Sequence, residues 1–133
     1  MKQRKHPKAL PYLFLSEMWE RFGYYLMIGI FTFYLKDANQ GFEMTEAESA
    51  SLYGTFIALV FFTPFIGGLL ADRVLGYRLP IVIGGVLMGV GYCMMGIHSF
   101  AMLYSGMILV IAGNGLFKPN ISTLLGNLYN NDD

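Results

Sequence analysis

A cluster of ionisable residues lies inside the first apolar run of this chain. Glu17, Glu20 and Arg21 interrupt a run from Pro11 to Leu35 that is long enough to cross a membrane. A charged side chain near the centre of a bilayer costs at least ~2.5 kcal/mol on insertion scales, so such residues usually face a bundle interior or a water-filled cavity. The cluster therefore indicates a path for an ion or a substrate.

The composition places this cluster in an all-α membrane protein. Apolar residues make up 55% of the 133 residues and charged residues 14%, and there are 16 glycines. These proportions are typical of membrane-spanning helices rather than of a soluble domain. Nothing in them indicates nucleic acid binding, and a single cysteine, Cys93, excludes a disulfide or a thiolate metal site within the chain.

Four transmembrane helices can be placed along the chain. Each is close to the ~20 residues that cross ~30 Å of hydrocarbon at a rise of 1.5 Å per residue. Thr45, followed three residues later by Glu48, predicts a capping box that starts the second helix. The predicted spans are 11–35, 49–70, 79–97 and 100–128.

Basic residues in the flanking segments predict the orientation of the chain. Lysine and arginine concentrate in short cytoplasmic loops. They precede the first span and lie between the second and third, so the N-terminus and that loop should be cytoplasmic and the acidic loop 36–48 should lie outside. The residues that carry this prediction are Lys2, Arg4, Lys5, Lys8, Arg73 and Arg78.

Helix geometry gives the charged cluster a potential partner, Lys118, on the fourth span. Glu20 lies roughly 14 Å from the cytoplasmic end of the first span, and Lys118 lies roughly 15 Å from the same side. Pairing Lys118 with Glu17 or Glu20 would balance two acids with two bases. Protonation of one carboxylate would then release an ion pair, as coupling of proton uptake to helix movement requires. The alternative is that these charges only fix helix pairing.

Polar and helix-breaking residues surround Lys118. Pro119 removes a backbone hydrogen bond at membrane depth, where irregular backbone is tolerated if it is buried or lines a cavity, so a kink is expected. Asn114 lies one turn earlier. It could line a cavity and contact a substrate, or it could form a hydrogen bond between helices.

Glycines mark the end of the second span and the whole of the third. In segment 67–78, Asp72 and Arg73 predict a charge contact between helix ends that gates or locks the bundle. The alternative is a solvated turn whose charges only set the orientation. The glycines of the third span predict a packing seam of small residues, formed by Gly84, Gly85, Gly89, Gly91 and Gly96.

Three motifs resemble those of the proton-dependent oligopeptide transporters, a branch of the major facilitator superfamily. Residues 17–25, EMWERFGYY, resemble the family's E-x-x-E-R-F-x-Y-Y motif. Residues 67–76 resemble its G-G-x-x-A-D-x-x-x-G signature, and residues 115–120 resemble its fourth-helix motif. The resemblance extends from about residue 6 to residue 129.

The resemblance implies a larger fold and specific residue roles. The family has 12 or more helices in two bundles with alternating access, so this chain would be the N-terminal portion of the first bundle, in contact with C-terminal helices of a longer parent. The implied activity is symport of di- and tripeptides, with protons as the coupling ion and no cofactor. The implied roles are proton coupling for Glu17, Glu20, Arg21 and Lys118, substrate binding for Tyr24 and Tyr25, and gating for Gly68, Asp72, Arg73 and Gly76.

One departure from the family pattern bears on the substrate. Ile28 stands where many members have an arginine that could contact a peptide carboxylate. A second hypothesis therefore keeps proton coupling but exchanges the peptide for another small anion or zwitterion. A third treats the chain as a non-transporting four-span membrane partner or scaffold.

No nucleophile, oxyanion site or cofactor motif indicates an enzyme. The expected location is a bacterial inner or plasma membrane, crossed several times.

Overall fold

The computed structural model describes residues 5–131, and these form four α-helices. The all-α fold and the predicted number of helices are confirmed. A π-helical segment, Ala71–Leu75, extends the second helix, and no strand occurs within residues 5–131. Lys2 and Arg4, which the orientation prediction counted, lie outside the described residues. The helices are α1 Leu10–Lys36, α2 Glu46–Leu70, α3 Arg78–Met95 and α4 Phe100–Asn131.

Three helical segments within the described part of the chain are long and apolar enough to cross a membrane. They are Glu46–Val74, Arg78–Met95 and Phe100–Tyr129. With 27 residues, α1 also has the length. α1 is less apolar than these three segments, because two carboxylates and a guanidinium lie within two of its turns.

Local sequence fixes the start of α2. The Thr45 hydroxyl accepts the Glu48 N–H at 3.2 Å, and the Glu48 carboxylate accepts the Thr45 N–H at 2.9 Å. This is the predicted capping box. It starts α2 at Glu46, as the capping box predicted, whereas the membrane span predicted from the apolar run begins three residues later, at 49. Glu46 and Glu48 in this first turn favour the positive end of the helix dipole.

The ends of the last two helices also differ from the prediction. α3 ends two residues early, in a 3₁₀-type turn in which the Gly96 N–H donates to the Cys93 carbonyl oxygen at 3.3 Å. α4 extends three residues beyond the predicted Leu128 and continues as one α-helix through Pro119. Apolar runs therefore located the helices but did not fix the residues at which α3 and α4 end.

α3 and α4 pack along a seam of paired glycines. A Cβ added to Gly84 would lie 2.6 Å from the Gly113 carbonyl oxygen, and a Cβ added to Gly113 would lie 2.6 Å from that of Gly84. Gly91 and Gly106 form a second reciprocal pair, at 2.7 and 2.6 Å. The two pairs share one helix face because they are two turns apart. Of the other glycines predicted for the seam, Gly85 and Gly89 line a cleft and Gly96 follows the end of α3.

α2 packs against α4 close to Pro119. Because proline has no N–H, the carbonyl oxygen of Gly115 loses its usual helical partner. This oxygen lies against Gly67 of α2, where any Cβ would clash with it. The missing hydrogen bond and the missing side chain thus occur at the same place, and they let the two backbones approach.

The main apolar core joins the four helices away from the charged cluster. Its largest buried side chains are Phe31 of α1, Phe56 of α2, and Leu103 and Val110 of α4. These residues lie towards the α1–α2 loop, whereas Glu17 to Arg21 lie in the opposite half of α1. The core therefore anchors one end of α1 and leaves the charged end in a looser environment.

Candidate functional site

The charged cluster of α1 forms ion pairs within its own helix. Arg21 Nη2 lies 3.5 Å from Glu17 Oε1, and Arg21 Nε lies 3.8 Å from Glu20 Oε2. The Glu20 side chain is only 7% exposed, against 44% for Glu17 and 43% for Arg21. One guanidinium therefore lies between two carboxylates, of which only Glu20 is removed from solvent.

The Glu20 carboxylate is incompletely paired. Its Oε2 has no hydrogen-bond partner among residues 5–131, since the contact with Arg21 exceeds hydrogen-bond distance. Glu20 borders a cleft of about 370 Å³ between α1, α3 and α4. A buried carboxylate without full pairing is costly, and protonation removes that charge. Glu20 thus has the environment that a proton-accepting group needs.

Lys118 lies near this cluster but does not contact either glutamate. Its Nζ is 5.7 Å from the centroid of the Phe61 ring on α2, a cation–π distance. Within the described residues no ion pair of 4.0 Å or less joins Lys118 to Glu17 or Glu20, although its charge acts on Glu20. The predicted pairing is therefore not formed in this structure, because Arg21 occupies the space between the carboxylates and Phe61 receives the ammonium.

The residues predicted to contact a substrate differ in exposure. Tyr24 is half-buried and packs against the main core, whereas Tyr25 is exposed; their rings meet edge-on with centroids 5.7 Å apart. Asn114 is 2% exposed, and its Nδ2 donates to the Val60 carbonyl oxygen at 3.0 Å. That is the hydrogen bond between helices, one of its two predicted roles. Substrate binding by these residues stays a prediction.

Thr63 adds a second polar link between α2 and α4 that the sequence did not reveal. Its hydroxyl lies 2.9 Å from the Leu59 carbonyl oxygen and 3.1 Å from the Ile111 carbonyl oxygen. A threonine in an apolar helix commonly bonds its own preceding turn. The contact with α4 depends on how the helices pack, so no local signal could have indicated it.

The loop after α2 is held by a tyrosine rather than by an ion pair. Tyr77 donates its hydroxyl to Asp72 Oδ1 at 3.2 Å, and this hydrogen bond and the nearby negative charge raise the pKa of the Tyr77 phenol. Within residues 5–131 neither Asp72 nor Arg73 forms an ion pair within 4.0 Å. The predicted charge contact between helix ends is therefore replaced by a tyrosine–carboxylate hydrogen bond.

Gly76 gives this loop its shape, and Gly68 lies in the last turn of α2 before it. Gly76 has φ 69° and ψ −160°, a conformation that is in practice open only to glycine. Gly68 lies against α4, where an added Cβ would be 3.7 Å from Pro119 Cβ. Asp72, Arg73 and Gly76 thus lie beyond the end of α2, whereas Gly68 lies within it. The gating role of all four stays a prediction.

The family profile of the Major Facilitator Superfamily matches residues 21–133. The chain belongs to this superfamily and is an integral membrane protein. It is 44% identical over 131 residues to dipeptide and tripeptide permease A of Pectobacterium carotovorum subsp. carotovorum (strain PC1) and, over the same length, 44% identical to that of Yersinia pestis. Each alignment covers 97% of this chain but 25% and 26% of these relatives, so the chain spans about a quarter of their length.

Solved structures of transporters also superimpose closely on this chain. The crystal structure of the peptide transporter POT in complex with sulfate superimposes with a TM-score of 0.88 at 37% identity, over 92% of this chain and 26% of that one. A POT family transporter in complex with 5-aminolevulinic acid also gives a TM-score of 0.88, at 36% identity and the same coverage. The resemblance to the proton-dependent oligopeptide transporters is thereby confirmed.

Proposed function

We propose that this chain is the N-terminal part of a proton-coupled symporter of di- and tripeptides. The observation that carries the proposal is Glu20, a buried and incompletely paired carboxylate beside Arg21 in a transporter fold. The relatives named dipeptide and tripeptide permease A support peptides as the substrate class. The remaining helices of the parent would supply the opposite wall of the substrate site.

Protonation of Glu20 would change the electrostatics of the cluster. Arg21 lies between two carboxylates, so neutralising Glu20 leaves the guanidinium with Glu17 alone. The field that Glu20 exerts on Lys118 disappears in the same step. A charge change of this kind biases an equilibrium between two helix arrangements, which is the basis of alternating access. Moving one proton down ~100 mV contributes about 2.3 kcal/mol and concentrates a neutral solute roughly fifty-fold.

The residues predicted for substrate binding and for gating also have roles in this proposed mechanism. Tyr25 is exposed and available to a substrate, and Tyr24 lies behind it. The loop with Asp72, Tyr77 and Gly76 would stabilise one access state at the cytoplasmic side. We place the N-terminus in the cytoplasm and the protein in a bacterial inner membrane.

The test is uptake of a labelled dipeptide by liposomes that contain the full-length transporter carrying this segment. An inward proton gradient should drive accumulation, and a protonophore should abolish it, because the proton supplies the work. Equal uptake with and without the gradient would refute the proposal.

A second candidate substrate is a zwitterion other than a peptide. Ile28 is packed against the core and offers no charge to a peptide carboxylate, and one similar structure holds 5-aminolevulinic acid. Competition separates the candidates. Unlabelled di- and tripeptides should compete with the transported solute if peptides are the substrate, whereas failure of a whole panel would favour the second candidate.

A further inference from the structure

Two buried polar atoms without partners belong to residues that border the same cleft. Glu20 Oε2 is one, and the hydroxyl oxygen of Tyr92 on α3 is the other; neither has a hydrogen-bond partner within residues 5–131. Buried polar groups are nearly always hydrogen-bonded to protein or to water. The two atoms therefore form no direct hydrogen bond with each other.

Packing holds the Tyr92 ring next to the motif that contains Glu20. Gly23 lies one helical turn after Glu20, and a Cβ on Gly23 would lie 3.6 Å from Tyr92 Cε2. The ring is therefore in contact with that turn of α1. Ser16 and Gly89 border the same cleft, which holds about 370 Å³. A water molecule occupies about 30 Å³ of liquid volume, so the space accommodates one or several.

We propose that Tyr92 is a positioning residue for proton uptake, whose hydroxyl donates a hydrogen bond to the Glu20 carboxylate through a water molecule in this cleft. The inference rests on the proposed function, because it takes Glu20 as the proton acceptor. A bridging water satisfies both buried atoms, and water-mediated bonds are nearly as favourable as direct ones. It also gives the proton a hydrogen-bonded route to a carboxylate that is largely removed from solvent.

Each helix around the cleft contributes a charged or titratable group near Glu20. Glu17, Arg21 and Tyr24 lie on α1 with it, and Lys118 lies on α4. Tyr92 is the polar side chain that α3 contributes among the residues bordering this cleft. Donation to the carboxylate favours its charged form, so removing the donor lets Glu20 take up a proton at higher pH.

The test compares Tyr92→Phe with wild type in the full-length transporter, using the pH dependence of proton-driven dipeptide uptake. The midpoint should move to higher pH by roughly half to one unit, as the loss of one hydrogen bond would produce. Tyr104→Phe is the matched control, since Tyr104 lies on α4 by a different cleft, and its midpoint should equal that of wild type. The midpoint does not depend on the amount of protein in the vesicles.

Peptide counterflow without a proton gradient completes the experiment. Tyr92→Phe should retain it, because a positioning residue for the proton does not bind the peptide. An unchanged midpoint, or loss of counterflow together with uptake, would overturn the role of Tyr92. If Glu20→Gln were still driven by protons, the proposed function itself would fail, so the two failures are distinguishable.

Discussion

The paired glycines between α3 and α4 make a quantitative prediction. In Gly91→Ala, the new Cβ would lie 2.7 Å from both the Gly106 carbonyl oxygen and Val110 Cγ2. Ordinary contact begins at 3.4 Å, so the shortfall is about 0.7 Å. The Val110 side chain can rotate, but the Gly106 oxygen belongs to the backbone. The two helices must therefore separate, and overpacking of this kind costs about 1–3 kcal/mol.

A neighbouring glycine supplies the control. Gly89 lies on the same helix, two residues earlier, and an added Cβ there meets nothing within 4 Å. Both substitutions bring the same gain in helix propensity, up to about 1 kcal/mol. The difference in the free energy of unfolding between the two variants therefore measures the cost of overpacking at the glycine seam alone.

The assay is thermal unfolding of the transporter in detergent micelles, followed by circular dichroism. Gly91→Ala should melt roughly 1–3 °C below Gly89→Ala, because the melting temperature of a transporter about four times the length of this chain falls by only about 1 °C per kcal/mol. Gly106→Ala should show a similar fall, since its Cβ would lie 2.6 Å from the Gly91 carbonyl oxygen. Equal melting temperatures for Gly91→Ala and Gly89→Ala would refute close backbone packing as the reason for the seam.

Three further predictions concern helix ends and the loop after α2. Thr45→Ala removes the capping box of α2 and should cost about 1 kcal/mol, measured by thermal unfolding; an unchanged melting temperature would contradict the role of the cap. Gly76→Ala places a side chain at φ 69° and should cost about 1–3 kcal/mol in the same assay, whereas Gly126→Ala, in open space, should not. Asp72→Asn should lower the pH at which Tyr77 ionises, because the carboxylate raises that pKa from its ordinary value of 10.0. In wild type the hydrogen bond favours the neutral phenol, so its stabilisation is present below pH 10 and is lost as the pH rises through the raised pKa. Nuclear magnetic resonance of the tyrosine rings measures this titration, and an unshifted Tyr77 would contradict the assignment.

Features that depend on neighbouring residues in the chain were predictable from the sequence. The capping box at Thr45 needs only two side chains three residues apart, and the four helices follow from apolar runs of sufficient length. The charges at Glu17, Glu20 and Arg21 likewise meet because their spacing matches a helix. These signals are local, so packing does not alter them.

The rest of the site depends on how each helix is rotated about its axis. Glu17 and Glu20 look alike in the sequence, yet only Glu20 is buried, because that side of α1 faces α3. Depth arguments placed Lys118 at the level of the cluster but gave no side-chain direction, and the structure puts its ammonium on Phe61. Tyr92 had no motif to mark it. Each of these contacts is set by tertiary packing, which the spacing of residues in one helix does not specify.

Proton entry through Glu20 can be measured most directly by the internal pH of liposomes that contain the full-length transporter and a trapped pH dye. Adding a dipeptide outside should acidify the interior in wild type, because each peptide enters with a proton. Glu20→Gln should abolish the acidification while peptide counterflow persists, and Glu46→Gln, an exposed carboxylate on α2, should behave as wild type. Acidification of equal size in Glu20→Gln and wild type would contradict the assignment of Glu20 as the proton acceptor.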